Sequence, residues 1–207
     1  MHEWGATAGT AGLAVLAVHG RGQTPQFMQE TAARFAAPRV RFHAPHAAGD
    51  SWYPEPFLVP LERNRPALGE SLEIVTGCLD ELAGRGFPRE RVVLWGFSQG
   101  ACLLAHHVLT VAPQRYAGLI LFTGGYIGPE PITGPPAGSL DGLATVVRSI
   151  DRDPWVPRYR VEETAALLEW AGATVDLRID PGDEHVITDG ACAAAGELLT
   201  TAGVRAG

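Results

Sequence analysis

The chain has 207 residues, with 16 Lys+Arg against 23 Asp+Glu and a formal net charge of −7. That length supports one domain with a sizeable core, and that charge argues against nucleic acid or an anionic membrane as the main partner. No apolar run approaches the ~20 residues of a membrane helix, and no basic leader precedes an apolar stretch, so a cytoplasmic protein without membrane insertion is expected.

In chain order, strands and helices alternate. Leu13–Val18 is a continuous apolar run that stops at His19-Gly20, the pattern of a buried strand. Thr24-Pro25 reads as a helix cap followed by proline in the first turn, opening a helix to about Ala36. Val40 to His43 is a short strand, and Ala44 to Pro60 is irregular, rich in proline and aromatics. Asn64 is expected to cap a long helix with apolar positions Leu68, Leu72, Val75, Leu79 and Leu82, ended by Gly84 and Gly86.

Arg91 to Trp95 is the next strand, and Ala101 to Val111 the helix after it. Gly118 to Phe122 is a strand broken by Gly124-Gly125, and Tyr126 to Gly142 is a Pro/Gly loop. Leu143 to Ile150 (strand), Arg158 to Trp170 (helix), Thr174 to Ile179 (strand) and Thr188 to Thr201 (helix) complete the chain. Apolar strands separated by helices imply one α/β domain over residues 1–207, a mostly parallel sheet covered on both faces.

Between the Arg91 to Trp95 strand and its helix stands Gly96-Phe97-Ser98-Gln99-Gly100. G-x-S-x-G at a strand-to-helix turn is a nucleophile elbow. Side chains at Gly96 and Gly100 would collide with neighbouring backbone in so sharp a turn. The serine then stands exposed at a helix N-terminus, where backbone N–H groups favour developing negative charge.

A serine hydroxyl needs a base, and the base needs an orienting group. Of the histidines after Ser98, His106 and His107 lie within the following helix and would project away. His185 follows a strand through Pro181-Gly182-Asp183-Glu184 and is the candidate base. The acid should follow the Leu143 to Ile150 strand. Asp153 is preferred because Pro154 favours a rigid turn, with Asp151 as the alternative. Two backbone N–H groups should hold the oxyanion, those of Gln99 and Arg21. Gly20 and Gly22 let that backbone approach a substrate, and His19 braces the loop.

The segment Ser51-Trp52-Tyr53-Pro54-Glu55-Pro56-Phe57 is too apolar for a free loop. Trp52, Tyr53 and Phe57 either wall a substrate pocket or pack the loop on the core, and Trp155 has the same two readings. Cys78, Cys102 and Cys192 have no C-x-x-C or metal-ligand spacing and read as small buried hydrophobes with reduced thiols. No metal or other cofactor is expected.

These motifs, with Leu16-Ala17-Val18-His19-Gly20-Arg21-Gly22 and Asp153-Pro154-Trp155-Val156-Pro157, occur in an order that resembles the phospholipase/carboxylesterase branch of the α/β-hydrolases. That branch includes acyl-protein thioesterases and small bacterial carboxylesterases. The resemblance runs from about Leu13 to Leu199. It implies an α/β-hydrolase fold with little or no lid and a Ser98-Asp153-His185 triad. It also implies oxyanion donors at Arg21 and Gln99, and hydrolysis of a small-molecule ester or thioester without a metal. A homodimer is an expectation from the family alone.

Two departures stand out. Glu184 occupies the place before the histidine where the family usually has glycine. Arg21 replaces an aliphatic residue of the acyl-protein thioesterases, which points to a polar or anionic part of the substrate. A carboxylesterase is the leading expectation. A thioesterase, a dienelactone-type hydrolase or a perhydrolase on the same triad, and a non-catalytic binding protein, are the alternatives.

Overall fold

The computed structural model describes residues 1–7, 9–37 and 39–206. Its centre is a seven-stranded sheet: β1 (His2–Gly5), β2 (Leu13–Val18), β3 (Val40–Ala44), β4 (Val92–Phe97), β5 (Gly118–Phe122), β6 (Ala144–Ile150) and β7 (Thr174–Asp180). The spatial order is β1-β3-β2-β4-β5-β6-β7, and every pairing is parallel except β1 with β3. The mostly parallel α/β sheet expected from the strand–helix alternation is therefore present, in line with the α/β-hydrolase fold that the resemblance implied.

Among the described residues, five α-helices cover the sheet: α1 (Pro25–Ala32), α2 (Ala67–Gly84), α3 (Gln99–Thr110), α4 (Arg158–Trp170) and α5 (Asp189–Ala206). Side chains alternate across a strand, so each buried strand feeds two cores. Ala14, Leu16 and Val18 of β2, with Val92 and Leu94 of β4, face α2, α3 and α4. Leu13, Val15 and Ala17, with Val93, Trp95 and Phe97, face α1 and α5. This double burial explains why β2 and β4 are apolar throughout. No described helix is long and apolar enough to cross a membrane.

The sequence expectations differ from the structure in three places. The edge strand β1 was not anticipated; it is four residues long and pairs only with β3. Asn64 does not cap α2, which begins at Ala67 with Pro66 at the cap position. Instead Asn64 is buried, its Oδ1 accepting from the Glu55 N–H at 2.9 Å and its Nδ2 donating to the Pro56 carbonyl at 3.3 Å. It holds the aromatic segment rather than a helix end. Thr24 takes the cap position of α1, but its side chain makes no capping bond.

Chain order places the site. From β2 the chain crosses to β3 on one side, and β4 then pairs with β2 on the other. Such a reversal opens a crevice beyond the carboxyl ends of the two strands. The residues at those ends are His19 to Gly22 after β2, and Ser98 after β4.

Candidate active site

Ser98 occupies the crevice in a strained conformation, with φ 53° and ψ −120°. A non-glycine residue at positive φ costs roughly 1–3 kcal/mol, so the surroundings must hold it. The elbow glycines are part of that hold. A Cβ on Gly96 would lie 2.6 Å from the Ala101 backbone, and one on Gly100 would lie 2.1 Å from the Val18 carbonyl oxygen. The turn thus packs directly on the end of β2, which leaves α3 starting at Gln99 with its N-terminus toward the crevice.

The structure brings Ser98, His185 and Asp153 together from the ends of β4, β7 and β6. The Ser98 hydroxyl lies 2.8 Å from His185 Nε2. His185 Nδ1 lies 2.7 Å from Asp153 Oδ2. A carboxylate only accepts, so the proton sits on Nδ1 and Nε2 is free to accept from the serine. The other carboxylate oxygen, Oδ1, accepts from the backbone N–H groups of Trp155 at 2.9 Å and Val156 at 3.0 Å. Burial pushes the Asp153 carboxyl up, but its bonds to His185, Trp155 and Val156 outweigh this and hold it below the usual range.

Asp151 takes no part in this chain. It pairs with Arg158 at 2.9 Å. Nor do His106 and His107, buried residues of α3: His106 accepts from the Ile127 N–H at 3.3 Å, and His107 Nε2 lies 3.0 Å from Thr76 Oγ1. Glu184 is exposed and does not have positive φ, so the position before His185 does not demand glycine. The glycine that the turn uses is Gly182, at φ 151°.

Facing the serine is the loop after β2. It approaches closely, since a Cβ on Gly20 would lie 3.1 Å from Ser98 Cβ. The backbone N–H groups of Arg21 and Gln99 have no acceptor among the described residues. His19 braces this loop as expected. Its Nε2 accepts from the Ala47 N–H at 3.1 Å, so Nδ1 carries the proton and donates to the Gly20 carbonyl at 2.7 Å. Burial pushes its pKa down and favours the neutral ring.

The aromatic segment is tied to both oxyanion candidates. The Arg21 guanidinium donates to the carbonyls of Tyr53, Pro54 and Glu55 at 2.9, 2.6 and 2.8 Å. The Gln99 side chain accepts from the Trp52 N–H at 2.9 Å and donates to the Tyr53 carbonyl at 2.8 Å. Sequence reasoning used the backbones of these two residues, and the Arg21 side chain only as a sign of a polar or anionic substrate group; neither side chain was expected to hold the aromatic segment. Their side-chain partners lie 32 to 34 positions from Arg21 and 46 and 47 from Gln99, with no local signal.

A cavity of about 500 Å³ opens at the serine, lined by Arg21, Tyr53, Phe57, Ser98, Trp155 and His185 among others. Two expected pocket residues fall outside this wall. Trp52 is buried behind it, its indole N–H donating to the His19 carbonyl at 2.8 Å, and Gly22 bonds the Asp50 carbonyl at 2.7 Å. Tyr53 and Phe57 are both wall and core, which unites the two readings of that segment. Trp155 is 71% exposed at the mouth. Cys102 also lines the cavity, but burial pushes its thiol up to about 12, so it stays protonated. A separate cavity of about 340 Å³ lies between β2, β3 and α5 and has no imidazole or carboxylate in its lining.

The phospholipase/carboxylesterase family model matches residues 7–201. The chain belongs to that family. A phospholipase/carboxylesterase from Dyadobacter fermentans is 31% identical, with 96% of this chain and 95% of that one covered and a TM-score of 0.89. The Bacillus cereus carboxylesterase is 21% identical, covering 97% and 93%, at a TM-score of 0.73. Esterase PE8 is 23% identical, covering 97% of each chain, at 0.74. The last two identities speak for the fold alone. Family and fold make the protein a hydrolase of the esterase type.

Proposed function

We propose that this family member is a serine hydrolase that cleaves carboxylic esters through an acyl-enzyme. One observation carries the reading: a single imidazole, His185, bridges the Ser98 hydroxyl and the Asp153 carboxylate at 2.8 and 2.7 Å. In this reading His185 Nε2 takes the serine proton as Oγ attacks the acyl carbonyl. The imidazolium is stabilised by Asp153, whose own bonds keep it ionised. The negative charge on the carbonyl oxygen falls between the N–H groups of Arg21 and Gln99, the latter reinforced by the N-terminus of α3. His185 then protonates the leaving alkoxide, and the same base activates water to release the acid.

The chemistry needs all three side chains as a unit. Replacing Ser98 with Ala should lower kcat on p-nitrophenyl butyrate by about a thousandfold or more. Near-normal turnover in that variant would remove the serine from the reaction.

A further inference from the structure

Among the described residues, Arg21 is the one fixed charge in the cavity wall. No carboxylate of the described residues lines that wall, whose other members are apolar or neutral polar side chains and the His185 imidazole. Nor does any carboxylate of the described residues pair with Arg21. The nearest acid along the gripped segment, Glu55, instead faces Arg63 at 3.5 Å. The three carbonyls that accept from Arg21 hold the guanidinium in place but leave its charge intact. Its Nε–H donates to none of them. A cation fixed in advance loses little freedom on meeting an anion.

From this we propose that the substrate carries a carboxylate that Arg21 recognises, close to the ester being cleaved. The proposal rests on the serine-hydrolase reading and names the substrate class within it. The spacing follows from the chain itself. The Arg21 backbone is placed at the oxyanion, so its guanidinium reaches a group one side chain away. That suits a carboxylate about two to four methylenes from the ester, each carbon–carbon bond spanning ~1.5 Å. The exposed Asp183 and Glu184 beside His185 disfavour the carboxylate on that side and favour the Arg21 side. The net charge of −7 offers no general attraction to anions, so the preference depends on this local contact.

The test compares matched substrates in the full-length protein. On the acyl side, monoethyl glutarate is set against ethyl pentanoate; on the alcohol side, the acetate ester of 4-hydroxybutyrate against butyl acetate. In at least one pair kcat/KM should favour the anion about tenfold or more, and this ratio should shrink as salt rises. Arg21→Gln should bring the ratio toward one, whatever it does to turnover of the neutral ester, and Arg21→Lys should restore part of it. A guanidinium that only clamps the 53–55 segment would slow both members of a pair alike. An unchanged ratio in Arg21→Gln, or no anion preference in either wild-type pair, overturns the proposal.

If Arg21→Gln does not fold, inhibition of the wild type decides. Glutarate should then compete better than pentanamide at low salt, and equal inhibition counts against the proposal. Wild type that turns over neither neutral ester and takes no fluorophosphonate would instead fail the hydrolase reading itself.

Discussion

Arg21 and Gln99, from the loop after β2 and the start of α3, donate side-chain N–H groups to one acceptor, the Tyr53 carbonyl, at 2.9 and 2.8 Å. The two residues whose backbones are proposed to hold the oxyanion therefore also hold the pocket wall. Loop, elbow and wall form one braced unit. Replacing Gln99 with Leu should leave the Trp52 N–H without its side-chain acceptor in a buried place. We expect a loss of about 1–3 kcal/mol in unfolding free energy and a drop in kcat larger than the change in KM. Denaturant melts and steady-state kinetics read both. Unchanged stability would show that the brace is dispensable.

Asp153→Asn separates orientation from folding. The asparagine carbonyl can still accept from the Trp155 and Val156 N–H groups, so the turn after β6 should survive. What it loses is the anionic acceptor that fixes the proton on His185 Nδ1. By analogy with other triads, kcat should fall about 10⁴-fold with little change in melting temperature. A fall of less than about tenfold would mean that Asp153 does not orient the base.

The elbow can be tested at Gly100. An alanine there would press its Cβ against the Val18 carbonyl, a backbone atom with no easy retreat. Gly100→Ala should cost about 2 kcal/mol or more in stability and also reduce activity, because the move displaces the β2 end beside Ser98. Gly69 makes a control, since nothing lies within 4 Å of a Cβ built there. Equal melting temperatures for the two alanine variants would refute the close packing.

Acid should destabilise the fold, and the sign follows from the buried imidazoles. Burial is the main cause that holds both His106 and His107 down to about 4. An unfolded imidazole titrates near 6.5. Between about 6.5 and 4 the unfolded chain binds more protons than the folded one, so stability falls as pH drops through that window. Below it the carboxyl groups act in the same direction. Asp153 is held below its usual range, and Glu3 is held at about 2, chiefly by its bond to Arg85. Their contributions are present above the unfolded value near 4 and are lost as pH falls further; that of Glu3 is small at an exposed pair.

We expect a loss on the order of 3 kcal/mol between pH 7.5 and pH 4.5, measured by urea midpoints. His106→Asn should flatten that dependence. Equal midpoints at the two pH values would contradict the assignment.

The site was more legible in the sequence than its supports. Ser98 and Asp153 follow buried strands rich in apolar residues, whereas His185 follows β7, an edge strand of mixed polarity whose residues are exposed or half-buried; the three strand ends meet at one rim. Asp153 was separable from Asp151 by the proline that follows it. Asn64 misled because a cap signal is local, whereas its actual partners, Glu55 and Pro56, are set by how a loop folds back. β1 escaped notice because four residues show no period and gain their conformation only by pairing with β3. The clamp by Arg21 was unreadable for the same reason: carbonyl acceptors are common to every residue and leave no mark on the sequence.

The central claim is that Ser98 is a nucleophile activated by His185. Incubation with a fluorophosphonate, followed by intact-mass and peptide mass spectrometry, tests it most directly. The account predicts one adduct per chain, on Ser98, formed far more slowly in His185→Ala. An unmodified protein, an adduct on another residue, or equal labelling without His185 would contradict it.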